Sequence, residues 1–392
     1  MFVESMYQLG ARRSCIRELF EYGLLRARQI GAENVYDYSL GNPSVPAPGA
    51  VDDALRALSG RRDTLPLHSY TSAAGSPDVR AAVSRALNAR YAADLRPENL
   101  FFTCGAAPAL VAAVRALAVE AAEFVLLAPY FPEYVPFVTA SGARPVIVPP
   151  AKDFRLDAQA VMRAVTRHTQ AVIINSPNNP SGVVYTREEL AALAAALSGR
   201  AEEYGRPIYI LADEPYRELA FDGVEVPFLP EIYPDTIVCY SWSKSLSLPG
   251  ERIGYVLIPD RAADSAALMA AVAGAARVSG HVCAPSLAQH LISKCAGLLP
   301  DVRAYERNRD LLYTALREYG YACVRPDGAF YMLVRAPGGS AADFSARAKE
   351  RELLVVPGDA FGCPEYFRLS ICVSPEMILR SLPVFRALAP EA

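Results

Sequence analysis

From about residue 100 to 258 the chain repeats one pattern: a short apolar run, a cluster of turn or polar residues, then apolar residues at helical spacing. The runs are 100–103, 124–127, 145–148, 171–174, 208–212, 237–240 and 254–258. Short strands without polar alternation are buried on both faces. Their alternation with helices predicts an α/β fold with a mainly parallel sheet covered by helices. In such a sheet ligands sit beyond the carboxyl ends of the strands. Every unusual polar cluster here follows an apolar run: Cys104-Gly105-Ala106-Ala107, Ala128-Pro129-Tyr130-Phe131, Asn175 to Gly182, Asp213-Glu214-Pro215-Tyr216, and Ser241 to Lys244. Phe131, Asn179, Asp213, Tyr216 and Lys244 are therefore predicted to converge on one edge.

The flanks differ. Residues 13–31 carry Ile16, Leu19, Phe20, Leu24 and Leu25 at helical spacing, with Gly31 as a stop. An extended piece at 36–40 runs into Gly41-Asn42-Pro43-Ser44. Helices are predicted at 49–58 and 78–92, joined by a linker that holds Tyr70. Beyond 260 come helices to 278 and over 284–299, and a charged helix over 301–319 whose composition suits a solvated face. Strand-like runs at 328–334, 354–358 and 367–372 then mix with a helix at 341–352 and a closing helix. Loss of strict alternation predicts a smaller α+β domain from roughly residue 290.

The totals exclude several classes. With 392 residues, 52% hydrophobic and 21% charged, the chain has material for two domains and a large core. A net charge of −3 without a basic block argues against nucleic acid or an anionic membrane as partner. The most apolar window, 106–127, is broken by Arg115, Glu120 and Glu123, so no membrane span is expected. Eight scattered cysteines without a CxxC pair predict reduced thiols rather than a disulfide framework or a zinc site. His68, His168, His281 and His290 fall in no metal-ligand pattern, so no metal is expected. The N-terminus lacks the basic-then-apolar order of a signal peptide, and a cytoplasmic location is expected.

Chemistry concentrates around Ser241-Trp242-Ser243-Lys244 and Arg252. Lysine condenses with a carbonyl to form a Schiff base. Hydroxyls and an arginine fork hold phosphate. A carbonyl and a phosphate on one small molecule describe pyridoxal phosphate (PLP). Taken alone, Ser-x-Ser-Lys is better read as a surface lysine in a polar turn, so the case rests on the other strand ends. PLP is an electron sink whose pyridine nitrogen needs a carboxylate, for which Asp213 is placed. Tyr216 and Asn179 can donate to the ring oxygen, and Phe131 can stack on the ring. Ser241, Ser243, Arg252 and the backbone N–H groups of Gly105, Ala106 and Ala107, at a helix start, can hold the phosphate. Arg368, on an apolar strand between Phe367 and Leu369, is a candidate receptor for a substrate carboxylate, a buried structural ion pair being the alternative.

These motifs resemble those of fold-type I PLP-dependent aminotransferases of class I/II. The resemblance is carried by Leu40-Gly41-Asn42-Pro43, Tyr70, Gly105-Ala106-Ala107, Pro129-Tyr130-Phe131, Asn178-Asn179-Pro180-Ser181-Gly182, Asp213-Glu214-Pro215-Tyr216, Ser241-x-Ser243-Lys244 with Arg252, and Phe367-Arg368-Leu369-Ser370. They run in the family's order from 40 to 370. The resemblance implies a seven-stranded sheet in a large PLP-binding domain at 46–289. It assigns 1–45 and 290–392 together to a small domain. It further implies PLP held as an imine on Lys244, a ping-pong exchange between an L-amino acid and a 2-oxo acid, and a homodimer with shared active sites. Tyr70 would reach the partner's phosphate, and Gly41 and Arg368 would meet the substrate carboxylate. Three features depart from many members: Ala106-Ala107 stands where a hydroxyl or lysine is common, Phe131 replaces tryptophan, and no second arginine suggests itself for a dicarboxylate side chain. A C–S β-lyase on the same scaffold is the nearest alternative. A PLP-sensing regulator is disfavoured by the short stretch before Gly41, and a Rossmann dehydrogenase by the lack of GxGxxG after a strand.

Overall fold

The computed structural model describes residues 2–11 and 14–390. Among these described residues twelve strands form three sheets. A two-stranded parallel pair joins β1 (Tyr36–Asp37) to β10 (Leu353–Leu354). The large sheet contains β2 (Leu100–Thr103), β3 (Glu123–Leu127), β4 (Arg144–Val148), β5 (Thr169–Asn175), β6 (Tyr209–Asp213), β7 (Thr236–Ser241) and β8 (Gly254–Leu257). The third sheet is antiparallel and holds β9 (Tyr331–Arg335), β11 (Val356–Pro357) and β12 (Tyr366–Ser370).

The seven strands lie in the order β2-β8-β7-β6-β5-β3-β4. All their pairings are parallel except those of β8, which runs against both β2 and β7. β6, β7 and β8 are buried along their whole length, as apolar runs covered on both faces must be. The edge strand β4 is the partly exposed one. Helices Ala106–Leu117, Arg187–Tyr204 and Ser265–Val278 contribute to the covering layers, and one continuous apolar core unites them with the sheet. A second core gathers around β9 and β12. It includes Tyr38 from the N-terminal side and Phe385 from the closing helix Pro375–Ala387, so the two ends of the chain share it.

Most predicted elements appear within a few residues of their expected bounds. The helix that follows β5 is Arg187–Tyr204. A capping box between Thr186 and Glu189 starts it and Gly205 in the left-handed region stops it. The helix expected over 13–31 is Cys15–Ile30, and Arg13 lies outside the described residues. Of its apolar positions Leu19 is buried, whereas Leu24 and Leu25 are exposed.

The charged helix, Arg303–Glu318, departs from the solvated reading. Its face of Tyr305, Asn308, Leu312 and Leu316 is buried, and Arg309 is 0% exposed. That guanidinium binds Asp222 with two nitrogens (2.8 and 3.1 Å) and Asp310 with its Nε (2.9 Å). Paired this way, an arginine can enter a core that it could not enter alone. Among the described residues no helix is long and apolar enough to cross a membrane, and no cluster of three or more His, Cys, Asp or Glu is arranged to hold a metal.

Candidate active site

Strand register brings the polar clusters together. Asn175 lies opposite Asp213 and Asp213 opposite Cys239 on neighbouring strands, while Gly254 pairs with both Ser241 and Thr103. Over this edge opens a cavity of about 190 Å³. Ala106, Ala107, Phe131, Asn179, Asp213, Tyr216, Ser241, Ser243, Lys244 and Arg252 line it. Gly105, Gly41 and Arg368 border it through the contacts described below. Tyr70 stands apart: it is 87% exposed and lies outside the lining of its own chain's cavity.

Lys244 sits in the single helical turn Trp242–Ser245 that follows β7, where Ser241 caps the turn by accepting from the Ser243 N–H. Its Nζ donates to the Gly41 carbonyl at 2.7 Å, which links the large sheet to the N-terminal segment. Any residue offers that carbonyl, but the space at this position requires glycine. A Cβ there would strike the Tyr331 hydroxyl, which lies against the Gly41 backbone. Tyr331 in turn accepts from Tyr216 (3.3 Å).

Asp213 is 5% exposed at the end of β6. Its Oδ2 accepts from the Tyr134 hydroxyl at 2.5 Å, and its Oδ1 has no partner. Burial pushes this carboxyl up to about 7; the Tyr134 hydrogen bond opposes the rise and Glu214 adds to it. A buried carboxylate oxygen facing a cavity without a donor incurs a desolvation cost that a cationic N–H would relieve. A protonated pyridine nitrogen is such a donor. Glu214 is spoken for, since it pairs with buried Arg217 at 3.0 Å.

A cup able to hold an anion lies at the start of the helix Ala106–Leu117, where the Ala106 and Ala107 N–H groups begin the helix and the dipole is positive. Gly105 caps it with φ +102°, a conformation that strains any other residue. A side chain there would also collide with the Arg252 guanidinium. Arg252, held by its Nη1 on the Pro249 carbonyl (3.0 Å), together with Ser241 and Ser243 completes the cup. The residues present thus fit PLP in both halves: an acceptor for the ring nitrogen and an anion site with three kinds of donor.

Arg368, on β12, is 2% exposed. Its Nη1 donates to Asn179 Oδ1 (3.2 Å), its Nη2 to the Ser39 carbonyl (2.5 Å), and its Nε is unpartnered. The guanidinium packs over the rings of Tyr331 and Phe361, at 4.5 and 5.1 Å. No carboxylate among the described residues pairs with it, so the structural ion-pair alternative falls. Burial lowers its pKa, yet guanidinium remains charged. A buried cation with no carboxylate partner at the border of this cavity is a receptor awaiting an anion.

The profile of the family "Aminotransferase class I and II" matches residues 32–383. The chain belongs to that family. Its members depend on PLP and exchange amino groups between amino and oxo acids, so this chain is a transaminase. The chain is 31% identical over 373 residues to the aspartate/prephenate aminotransferase of Thermus thermophilus, covering 92% of each. A solved amino transferase from Eubacterium rectale superposes with a TM-score of 0.96 at 52% identity, over 99% of this chain and 98% of that one. The aspartate aminotransferase of Thermus thermophilus solved with maleate superposes at 0.85 with 27% identity, over 96% and 97%.

Three contributors escaped sequence reasoning. Tyr134, partner of Asp213, lies 79 positions away from it in sequence. Tyr331 reads as an ordinary residue of an apolar strand. Asn175 looked like part of a turn. Its Nδ2 donates to the Asp213 carbonyl (2.8 Å), and its Oδ1 accepts from the Asn179 N–H (2.7 Å). The one legible signal was a tyrosine three residues after Phe131, at the start of a helix.

Proposed function

We propose that this transaminase holds PLP in the 190 Å³ cavity with Lys244 as covalent anchor, and that it moves an amino group from an L-amino acid to a 2-oxo acid in two half-reactions. The observation that carries this reading is a pair of orphaned buried charges at one cavity. Asp213 offers a free oxygen and Arg368 a free N–H, on groups whose only present partners are uncharged.

Bound there, PLP supplies the electron sink that stabilises negative charge developing at the substrate Cα. The residues do the rest. Arg368 and the Gly41 backbone receive the substrate carboxylate and thereby place the Cα–H bond. Lys244 Nζ, freed from its anchor role, takes the proton from Cα and returns it one position away, as general base and then acid. Asp213 keeps the ring nitrogen protonated, Asn179 and Tyr216, whose hydroxyl turns from Tyr331 to do so, donate to the ring oxygen, and Phe131 fixes the ring plane. Gly105, Ala106, Ala107, Ser241, Ser243 and Arg252 hold the phosphate.

Loaded protein is expected to show a visible absorption band that decays on mixing with an amino donor and returns on adding a 2-oxo acid. Twenty amino acids screened this way identify the donor, with aspartate included because relatives carry that name. A band that no amino acid alters would overturn the transaminase reading.

The exposure of Tyr70 supports a homodimer in which this hydroxyl reaches the partner's phosphate. The shared core of the two chain ends supports a small domain of 1–45 and 290–392 against a large one of 46–289. Eight free cysteines fit a reducing cytoplasm. If sites are shared, co-expressing Lys244→Ala with Tyr70→Ala subunits will rebuild one intact site per mixed dimer. Activity well above that of either variant alone is expected. Mixed dimers no more active than the parents would place Tyr70 outside the site.

A further inference from the structure

Tyr134 is fully buried, and none of the roles assigned above requires it. It is the first residue of the helix Tyr134–Ala140. Two contacts define it. Its hydroxyl donates to Asp213 Oδ2 at 2.5 Å, and its ring meets Phe131 edge-on, with centroids 5.6 Å apart and planes at 80°. The first contact leaves Asp213 one oxygen short of a partner, and that oxygen belongs to a residue lining the cavity. The second braces the aromatic residue on the same cavity. One side chain therefore touches both the residue that would meet the ring nitrogen and the residue that would meet the ring face.

We propose that Tyr134 is a positioning residue for the cofactor ring: its hydroxyl pins one oxygen of Asp213 so that the other is presented to the pyridine nitrogen, and its ring edge sets the plane of Phe131. The proposal rests on the PLP reading and adds to it a residue that touches neither cofactor nor substrate.

The chemistry follows from the environment of Asp213. The groups facing it are Tyr134, Glu214 next in the chain, Tyr216 beyond it, and Cys239 opposite on β7. Burial raises the carboxyl, Glu214 raises it further, and the Tyr134 hydroxyl is the one group holding it down. The tyrosine stays protonated and remains a donor, because burial and the adjacent carboxylate drive its own pKa well above the ordinary value. Without that donor Asp213 competes more strongly for the proton it shares with the ring nitrogen. The ring becomes less positive and a weaker electron sink. A less positive ring also lets the Lys244-linked chromophore keep its proton to higher pH.

The test compares wild type with Tyr134→Phe, which retains the ring edge against Phe131 and loses only the hydroxyl. Each is reconstituted from cofactor-free protein with PLP or with its 1-deaza analogue, in which a C–H replaces the ring nitrogen. With PLP, the variant is expected to bind about tenfold more weakly, and the pH midpoint of its visible band should rise by about one unit. With the deaza analogue, wild type and variant should bind alike, since Asp213 then has no N–H to meet. Tyr134→His, which keeps an aromatic donor, should stay within about threefold of wild type. An unchanged midpoint and affinity in Tyr134→Phe with PLP would overturn the proposal. So would an equal loss with both cofactors, which would mark a packing role. Wild-type protein that binds no PLP would sink the underlying reading instead, a separate and recognisable outcome.

Discussion

Lys244→Ala is expected to be colourless in the visible when mixed with PLP, and to lose transamination by at least about 10⁴-fold, the upper range for removing a general acid–base group. The loss should be this large because one nitrogen carries two tasks, anchoring the cofactor and moving the proton at Cα. Folding should survive. The side chain makes a single hydrogen bond, to the Gly41 carbonyl, and the turn Trp242–Ser245 is capped by Ser241 rather than by the lysine. Near-wild-type thermal unfolding together with lost activity separates chemistry from collapse. Added primary amines offer a further check, since a small amine entering the space vacated by the side chain can take up part of the proton transfer.

Arg368→Ala is expected to lower kcat/KM for amino donor and 2-oxo acceptor alike, by roughly 10²–10³-fold, the range for removing one partner of a buried charge pair. Affinity for PLP should change little, because the residues proposed to hold the phosphate, Ala106, Ala107, Ser241, Ser243 and Arg252, are not among the partners of Arg368. Arg368→Lys should recover only part of the loss. Lysine keeps the charge but lacks the planar fork, and its three donors are too few to engage both carboxylate oxygens while holding Asn179 and Ser39 as the guanidinium does. Amine substrates without a carboxylate should be indifferent to the substitution. An equal effect on them would assign Arg368 to packing between Tyr331 and Phe361.

Much of this site is legible in the sequence because a buried parallel sheet is written in simple terms. Strands covered on both faces must be apolar throughout, so Asp213 closing β6 and Lys244 just past β7 are conspicuous. The register that seats Asn175, Asp213 and Ser241 along one edge then follows from the fold. What stayed hidden depends on pairings that no local pattern encodes. Tyr134 is indistinguishable from a core aromatic until Asp213 is seen beside it. Tyr331 begins β9 as one more large apolar-bodied residue, and its role depends on Gly41 and Tyr216 arriving from far along the chain. Arg309 misled in the opposite direction. Its helix is rich in charge, but Asp222 and Asp310 neutralise this arginine and carry it into the core. A charged residue's burial is decided by its partner, and the partner is a tertiary fact.

The chain's lysines are Lys152, Lys244, Lys294 and Lys349, which makes the anchor directly measurable. Protein incubated with PLP, reduced with borohydride, digested and analysed by mass spectrometry should carry the cofactor-derived mass on the peptide containing Lys244, at close to one per chain. The other three lysines should be unmodified, and prior addition of an amino donor should remove the adduct from Lys244. A label on Lys152, Lys294 or Lys349 in place of Lys244, or no stoichiometric label at all, would contradict Lys244 as the centre of this site.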